Sequence, residues 1–392
     1  MELGKAKCTV HFLPALAGDC FVLEFDNKNC ILIDCGYPLT YKEKLKPLLQ
    51  KLAKKGCKIS LMVITHMDAD HISGAISFLE DNGDANAPRV IQVDEIWHNG
   101  IYNTIMDSEI ISRHESDQIT ESILKKCKEI SGSLKMQLQG ESGSISAMQS
   151  KTFESICAKY NYVINKQFND HLIIKGRMYC FDNCEINVLS PGATEINKLR
   201  KWLNKEMILN FGKDYIWNRT EAFAELFNLI AFYHGQDEIG PPISEQISSG
   251  IPDAAEWLNT SLLPEMNVVN TASIVLDIRY KGLKLLFMGD SESDLWKDQL
   301  EAQYDLIKVS HHGTTKPNLA WLNKKIKARK LLVSTNGGKH GHPENDFLAR
   351  AIMGDFEQLF FNYSIARKAD ILLMQKKYNF TAEFEKIDIE LC

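Results

Sequence analysis

The run Thr65-His66-Met67-Asp68-Ala69-Asp70-His71 constrains this chain more than any other segment, because four metal-binding side chains fall within six positions. Leu61, Met62, Val63 and Ile64 precede it, an apolar stretch with the length of a buried strand. The polar cluster begins where that strand would end, and a helix is expected to follow from His71 through Leu79. Ligands on a strand-to-helix turn converge on one point above the sheet, and the small Ser73, Gly74 and Ala75 permit close packing beneath them. The run therefore reads as the floor of a two-metal hydrolytic site. Imidazole suits zinc, whereas a carboxylate-rich set also admits manganese, magnesium or iron.

The same device recurs downstream. Lys284 to Asp290 is a second buried-strand pattern that ends in an acid, and Leu306 to Gly313 is a third that ends in the paired His311 and His312. In an open α/β sheet, ligand sites form at the carboxyl ends of strands.

With these segments in view the sequence resembles the metallo-β-lactamase superfamily, and within it the hydrolase domain of the bacterial competence protein ComEC and its soluble relatives. The resemblance is carried by Gly18 to Leu23, Ile31 to Gly36, His66 to His71, Asn270 to Leu276, Gly289-Asp290, Ser310 to Gly313 and Gly341-His342-Pro343. The superfamily's usual first motif has His where this chain has Asp68, a departure that argues against a β-lactamase proper.

The resemblance implies an αββα sandwich formed by one catalytic domain over residues 1–392, holding two divalent ions, zinc or manganese. It places His66 and Asp68 on one ion, Asp70 and His71 on the other, and Asp290 between them. One of His311 and His312 completes the second ion, with His311 taken as the ligand. His312 and His342 then face a scissile phosphate and join Asp70 as the catalytic residues. A further histidine normally serves the first ion, but the corresponding stretch reads Val188-Leu189-Ser190-Pro191. His98 and His171 are the candidates to replace it, and water or a weakly held first ion is the alternative.

Two ions about 3.5 to 4 Å apart would hold a hydroxide between them and clamp an in-line displacement. This is machinery for phosphodiester hydrolysis. Asp34 is placed either to orient a ligand histidine or as a turn residue beside Gly36.

At 392 residues, with 44% hydrophobic and 24% charged content, the chain can bury a large core. The start, Met1 to Lys7, lacks the apolar region of a signal peptide, and no uninterrupted apolar stretch reaches the roughly 20 residues of a membrane helix. A cytoplasmic protein without a membrane channel is expected. Its ten cysteines are then expected to be reduced, and Cys180 with Cys184 is too isolated for a zinc site.

Strands are expected near 7–13, 20–25, 30–34, 60–65, 89–93 and 184–189, then near 272–279, 283–288, 305–309, 330–334, 359–362, 370–374 and 379–384. Helices are expected near 41–55, 71–81, 292–303, 317–327 and 344–353. Two insertions, about 101–180 and 192–268, interrupt this alternation and read as helical and loop lids over the site. Ser108 to Ser131 and Ser146 to Tyr160 are the best helices of the first.

Substrate class is less constrained. A net charge of −6 gives no bulk pull on a polyanion. The lysines from Lys42 to Lys55 and the cluster from Lys324 to Lys330 are local basic patches or solvated faces. Trp97, Tyr102, Trp202, Tyr215, Trp217, Phe232 and Tyr233 could stack on bases or form the insertions' own core. The leading expectation is a nuclease on DNA or RNA. The alternatives are a small-molecule phosphodiesterase acting on a cyclic nucleotide or a phosphorylcholine ester, and a metal-binding subunit of a bacterial defence or DNA-processing assembly with a partner protein.

Overall fold

A computed structural model describes residues 7–100, 104, 153–168, 172–181, 184–211, 251–258, 266–338, 341–354 and 356–392. Two sheets face each other. The first holds β1 (Cys8–Phe12), β2 (Cys20–Phe25), β3 (Asn29–Cys35), β4 (Lys58–Ile64), β5 (Ile96–His98) and β14 (Asp388–Leu391), in the order β14-β1-β2-β3-β4-β5. The second holds β6 (Met178–Phe181), β7 (Cys184–Ser190), β8 (Val275–Tyr280), β9 (Leu283–Phe287), β10 (Gln303–Lys308), β11 (Lys327–Val333), β12 (Phe356–Phe361) and β13 (Thr381–Glu383). These run β13-β12-β11-β10-β9-β8-β7-β6.

Three apolar layers hold the sandwich together. Val10, Phe21, Ile33, Val63, Leu276, Leu285 and Leu306 fill the space between the sheets. The helices Lys46–Lys54, Ala69–Asn82 and Phe153–Lys159 seal the outer face of the first sheet over Val22, Leu32 and Met62. The helices Thr315–Asn323, Asn345–Ile352 and Lys368–Met374 do the same for the second over Leu286, Ile307 and Leu331. This is the αββα order expected from the sequence.

The element that positions the site is the β4-to-helix crossover. β3, β4 and β5 run parallel, as do β9 through β13, so both groups point their carboxyl ends at one edge of the sandwich. Gly74 lets the Ala69–Asn82 helix lie against that edge: a Cβ there would stand 2.1 Å from the Cys35 carbonyl oxygen. Pro47 starts the regular part of the preceding helix. A π-helical turn, Tyr41–Leu45, comes before it, as a residue without an N–H allows.

Several sequence-based elements are corrected. Residues 370–374 form a helix and not a strand; Ile371 and Met374 are buried three positions apart while Leu372 is exposed. The helix expected at 292–303 is two short 3₁₀ turns. Trp296 breaks them at φ −139°, which lets its indole enter the core and donate to Ser291. The strand expected at 89–93 falls instead at Ile96–His98, with only a bridge from Val93 to Ile59. β14 was not foreseen; it pairs antiparallel with β1.

The described ends of the two insertions belong to the body of the fold. Phe153, Ile156 and Cys157 join the outer core of the first sheet, and β6 is an edge strand of the second. Helix Ala193–Phe211 brings Leu199 against Met67, inside the metal-binding run, together with Val269 and Ala272. The helix expected at Ser108 to Ser131 lies outside the described residues, as does all of 212–250. Among the described residues no helix is long and apolar enough to cross a membrane.

Candidate metal centre

Every candidate ligand lies just past the carboxyl end of a strand: His66 to His71 after β4, Asp290 after β9, and His311 and His312 after β10. Asp68 occupies the N-cap position of the Ala69–Asn82 helix, yet its side chain makes no capping bond. It stands instead 3.6 Å from His66 Nε2. Asp70 and His71 occupy the first turn, and both are buried.

One carboxylate oxygen organises the cluster. Asp290 Oδ2 lies 3.8 Å from His66 Nε2, 3.7 Å from His71 Nε2, 3.6 Å from His312 Nε2 and 3.8 Å from His311 Nε2. His71 Nε2 and His312 Nε2 are in turn 3.6 and 3.8 Å from Asp70 Oδ2. Two ligand atoms each about 2.1 Å from one ion, at a tetrahedral angle, stand about 3.4 Å apart. The observed separations are those of ligands around a shared ion.

Unpaired atoms at the same place point the same way. His66 Nε2, His71 Nε2 and Asp290 Oδ1 are buried without a hydrogen-bond partner, a costly condition unless something binds there. Three ligand groups sharing His71 result among the described residues: His66 with His71 and Asp290, Asp70 with His71 and His312, and Asp19 with Asp34 and His71. Divalent ions fit these donors.

Burial lowers His66, but Asp68, Asp290 and Asp34 outweigh it and push the imidazole up to about 10. Burial and the neighbouring His66 hold His71 down to about 3. Burial raises Asp290, yet His312, His311, His71 and Lys308 overcome that and keep its carboxyl well below the usual range. The carboxylates of Asp68, Asp290 and Asp34 that act on His66 are groups a cation would also meet there.

Asp34 supports both histidines of the first run. Its carboxylate accepts from His71 Nδ1 at 2.8 Å, from the Thr65 amide at 2.8 Å and from Thr65 Oγ1 at 2.7 Å. Thr65 Oγ1 lies 3.0 Å from His66 Nδ1, so one acid orients both rings. Asp34→Asn is expected to lower metal affinity about 10- to 100-fold, measured by competition with a chelating dye. Unchanged affinity would assign Asp34 to the turn alone.

The paired histidines differ in exposure. Both stand in the left-handed region, at φ 46° for His311 and 57° for His312, a conformation that costs non-glycine residues about 1 kcal/mol or more. Asn318 holds this loop, accepting from the Ser310 amide and donating to the Ser310 and Thr314 carbonyls. His312 is 5% exposed and its Nδ1 donates to the Ser334 carbonyl at 2.8 Å. His311 is 26% exposed and its Nε2 lies 3.3 Å from the amide of Asn270. The structure thus brings His312, rather than His311, to Asp70 and His71. His342 sits at the rim, its ring centroid 5.6 Å from that of His311.

His98 ends β5 beside Ile64, buried against Phe153, and burial holds it down to about 4. It joins none of the ligand groups found among the described residues. His171 lies outside the described residues. No such group contains a cysteine, and Cys184 packs into the core between the sheets.

Two contributors were not assigned a role from sequence. Lys308 and Asp19 form a fully buried ion pair directly below Asp290. The signal was available: a lone lysine within the apolar run Leu306 to Val309, and an acid immediately before β2.

Residues 13–124 match the family model described as the metallo-beta-lactamase superfamily. The two facing sheets with helices outside them are consistent with the metallo-β-lactamase fold. The matched segment contains Asp34 and the whole run from His66 to His71, while Asp290, His311 and His312 come from beyond it. Members of this superfamily are metal-dependent hydrolases.

Among solved structures, the chain is similar to the metallo-beta-lactamase fold protein YhfI from Bacillus subtilis, with 7% identity, a TM-score of 0.39 and coverage of 99% of each chain. It is also similar to a mutant of the CmlA beta-hydroxylase, with 9% identity and a TM-score of 0.36 over 98% of this chain and 53% of that one. No curated protein sequence matches the chain.

Proposed function

We propose that the chain is a metal-dependent hydrolase of phosphodiesters, with two divalent ions, zinc or manganese, at this centre. The carrying observation is the position of Asp290 Oδ2, 3.6 to 3.8 Å from four imidazole nitrogens. His66 and Asp68 would hold one ion, Asp70, His71 and His312 the other, and Asp290 both. Bound ions of this kind supply Lewis acidity toward a phosphoryl oxygen and activation of water.

The chain's own residues supply orientation. Asp34 and the Ser334 carbonyl fix the imidazoles of His71 and His312 through their Nδ1 atoms. His311, the more open of the pair, and His342 are the rim groups that would lie nearest a bound substrate. The buried His66, Asp70 and His71 keep bulk water from the floor of the site, and Asp68 stands half-exposed at its edge.

Nucleic acid is the substrate class to test first. A small phosphodiester is the second reading, and a specific observation favours it. Lys46, Lys55 and Lys324, all from the basic clusters, are paired with Asp81, Glu24 and Asp298 at 2.6, 2.7 and 2.7 Å. Trp97 packs in the core against Phe168 and Tyr179, away from any base-stacking surface.

Stripping the protein with a chelator is expected to abolish cleavage, and added manganese or zinc to restore it. The panel is linear, circular and single-stranded nucleic acid, a cyclic nucleotide and a chromogenic phosphodiester. Cleavage confined to the last two would select the small-substrate reading. Full activity in a sample shown by elemental analysis to be metal-free would overturn both.

A further inference from the structure

Lys308 is a buried charge that the proposed chemistry does not use. It is 1% exposed on β10, and its ammonium pairs with the equally buried Asp19. Taking such a group out of water is costly, and one well-placed carboxylate is enough to offset the charge. The surroundings of Lys308 go beyond that need. Its Nζ also donates to the Gly289 carbonyl at 3.0 Å, which anchors it to the residue before Asp290. From there it stands 3.7 Å from Asp290 Oδ1.

The two oxygens of Asp290 therefore live in different fields. Oδ2 looks toward four imidazole nitrogens. Oδ1 is buried, accepts no hydrogen bond and looks toward the ammonium. The Ser273 hydroxyl lies 3.3 Å from the Asp290 amide and steadies the backbone between them.

We propose that Lys308 is a positioning residue whose fixed charge holds Asp290 Oδ1 back, so that Oδ2 alone would be presented to the two ions. The inference rests on the dinuclear reading of the site. A carboxylate with both oxygens free tends to bridge through both, which sets two ions farther apart and weakens their exchange coupling. The same ammonium explains a second feature. Asp19, Asp34 and His71 stand close enough together to hold a cation, and Lys308 already supplies one on Asp19.

The test loads the full chain with manganese, counts bound ions by titration and records the electron paramagnetic resonance spectrum. The wild type is expected to take two ions and give an exchange-coupled signal. Two variants remove the charge: Lys308→Gln, and Asp19→Asn combined with Lys308→Met, which leaves no lone buried carboxylate should the single change fail to fold. Either, once shown to be folded by circular dichroism, is expected to bind the second ion about 10- to 100-fold more weakly and to show altered coupling. Wild-type affinity and an unchanged spectrum in a folded variant would overturn the proposal and leave Lys308 a packing charge. A wild type that takes only one ion would instead overturn the dinuclear reading, and this inference with it.

Discussion

Asp290→Ala is expected to leave a folded protein that retains neither ion and loses at least about a thousandfold in activity. The size follows from the several kcal/mol of charge stabilisation that a metal centre supplies, at about 1.36 kcal/mol per tenfold in rate. Its position explains why this residue outranks the other ligands. Removing Asp68 or Asp70 takes one donor from one group, whereas Asp290 Oδ2 is within 3.8 Å of the Nε2 atoms of His66, His71, His311 and His312. The fold is expected to survive because Lys308 keeps Asp19 as its partner. Elemental analysis beside a rate measurement checks both parts. A variant that still carried two ions would show that the bridging role belongs elsewhere.

Gly18→Ala carries the largest expected loss of stability. A Cβ at this position would stand 1.9 Å from the Asp70 carbonyl oxygen and 2.7 Å from its carbonyl carbon. These are backbone atoms in the first turn of the helix that bears Asp70 and His71, so no side chain can swing aside. Forced overpacking of this kind costs about 3 kcal/mol. The damage also reaches the metal centre along a chain of bonds. Ser334 Oγ donates to the Gly18 carbonyl at 2.8 Å, and the Ser334 carbonyl accepts from His312 Nδ1 at 2.8 Å. Thermal denaturation is expected to show a drop of several degrees, and metal content to fall with it. A variant of native stability and full metal content would mean that the loop before β2 yields freely.

Much of this could be read along the chain, where one local pattern repeats. A short apolar run followed by a chemically distinctive residue marks β3 with Asp34, β4 with His66, β9 with Asp290 and β10 with His311. The two sheets follow from the same runs. The signal failed where an apolar run was ambiguous. Ile371 to Met374 has the length of a strand, but its burial alternates on a helical period. It failed again where a single side chain overrode periodicity, as when burial of Trp296 broke the expected helix into turns.

The sequence by itself determined the candidate ligand types and the strand ends that carry them, because both depend on residues adjacent in the chain. Only the tertiary structure decided which ligands share an oxygen. The φ values of 46° and 57° at His311 and His312 turn the two rings apart, leaving His312 buried at Asp70 and His311 open at the rim. Local spacing holds no trace of that choice, since the strain is borne by distant contacts to Asn318 and Ser334. The pairing of Asp19 with Lys308 is likewise a property of the closed sandwich. Each residue alone is an ordinary charge, and they meet only because the two facing sheets bring the start of β2 and the end of β10 to one edge.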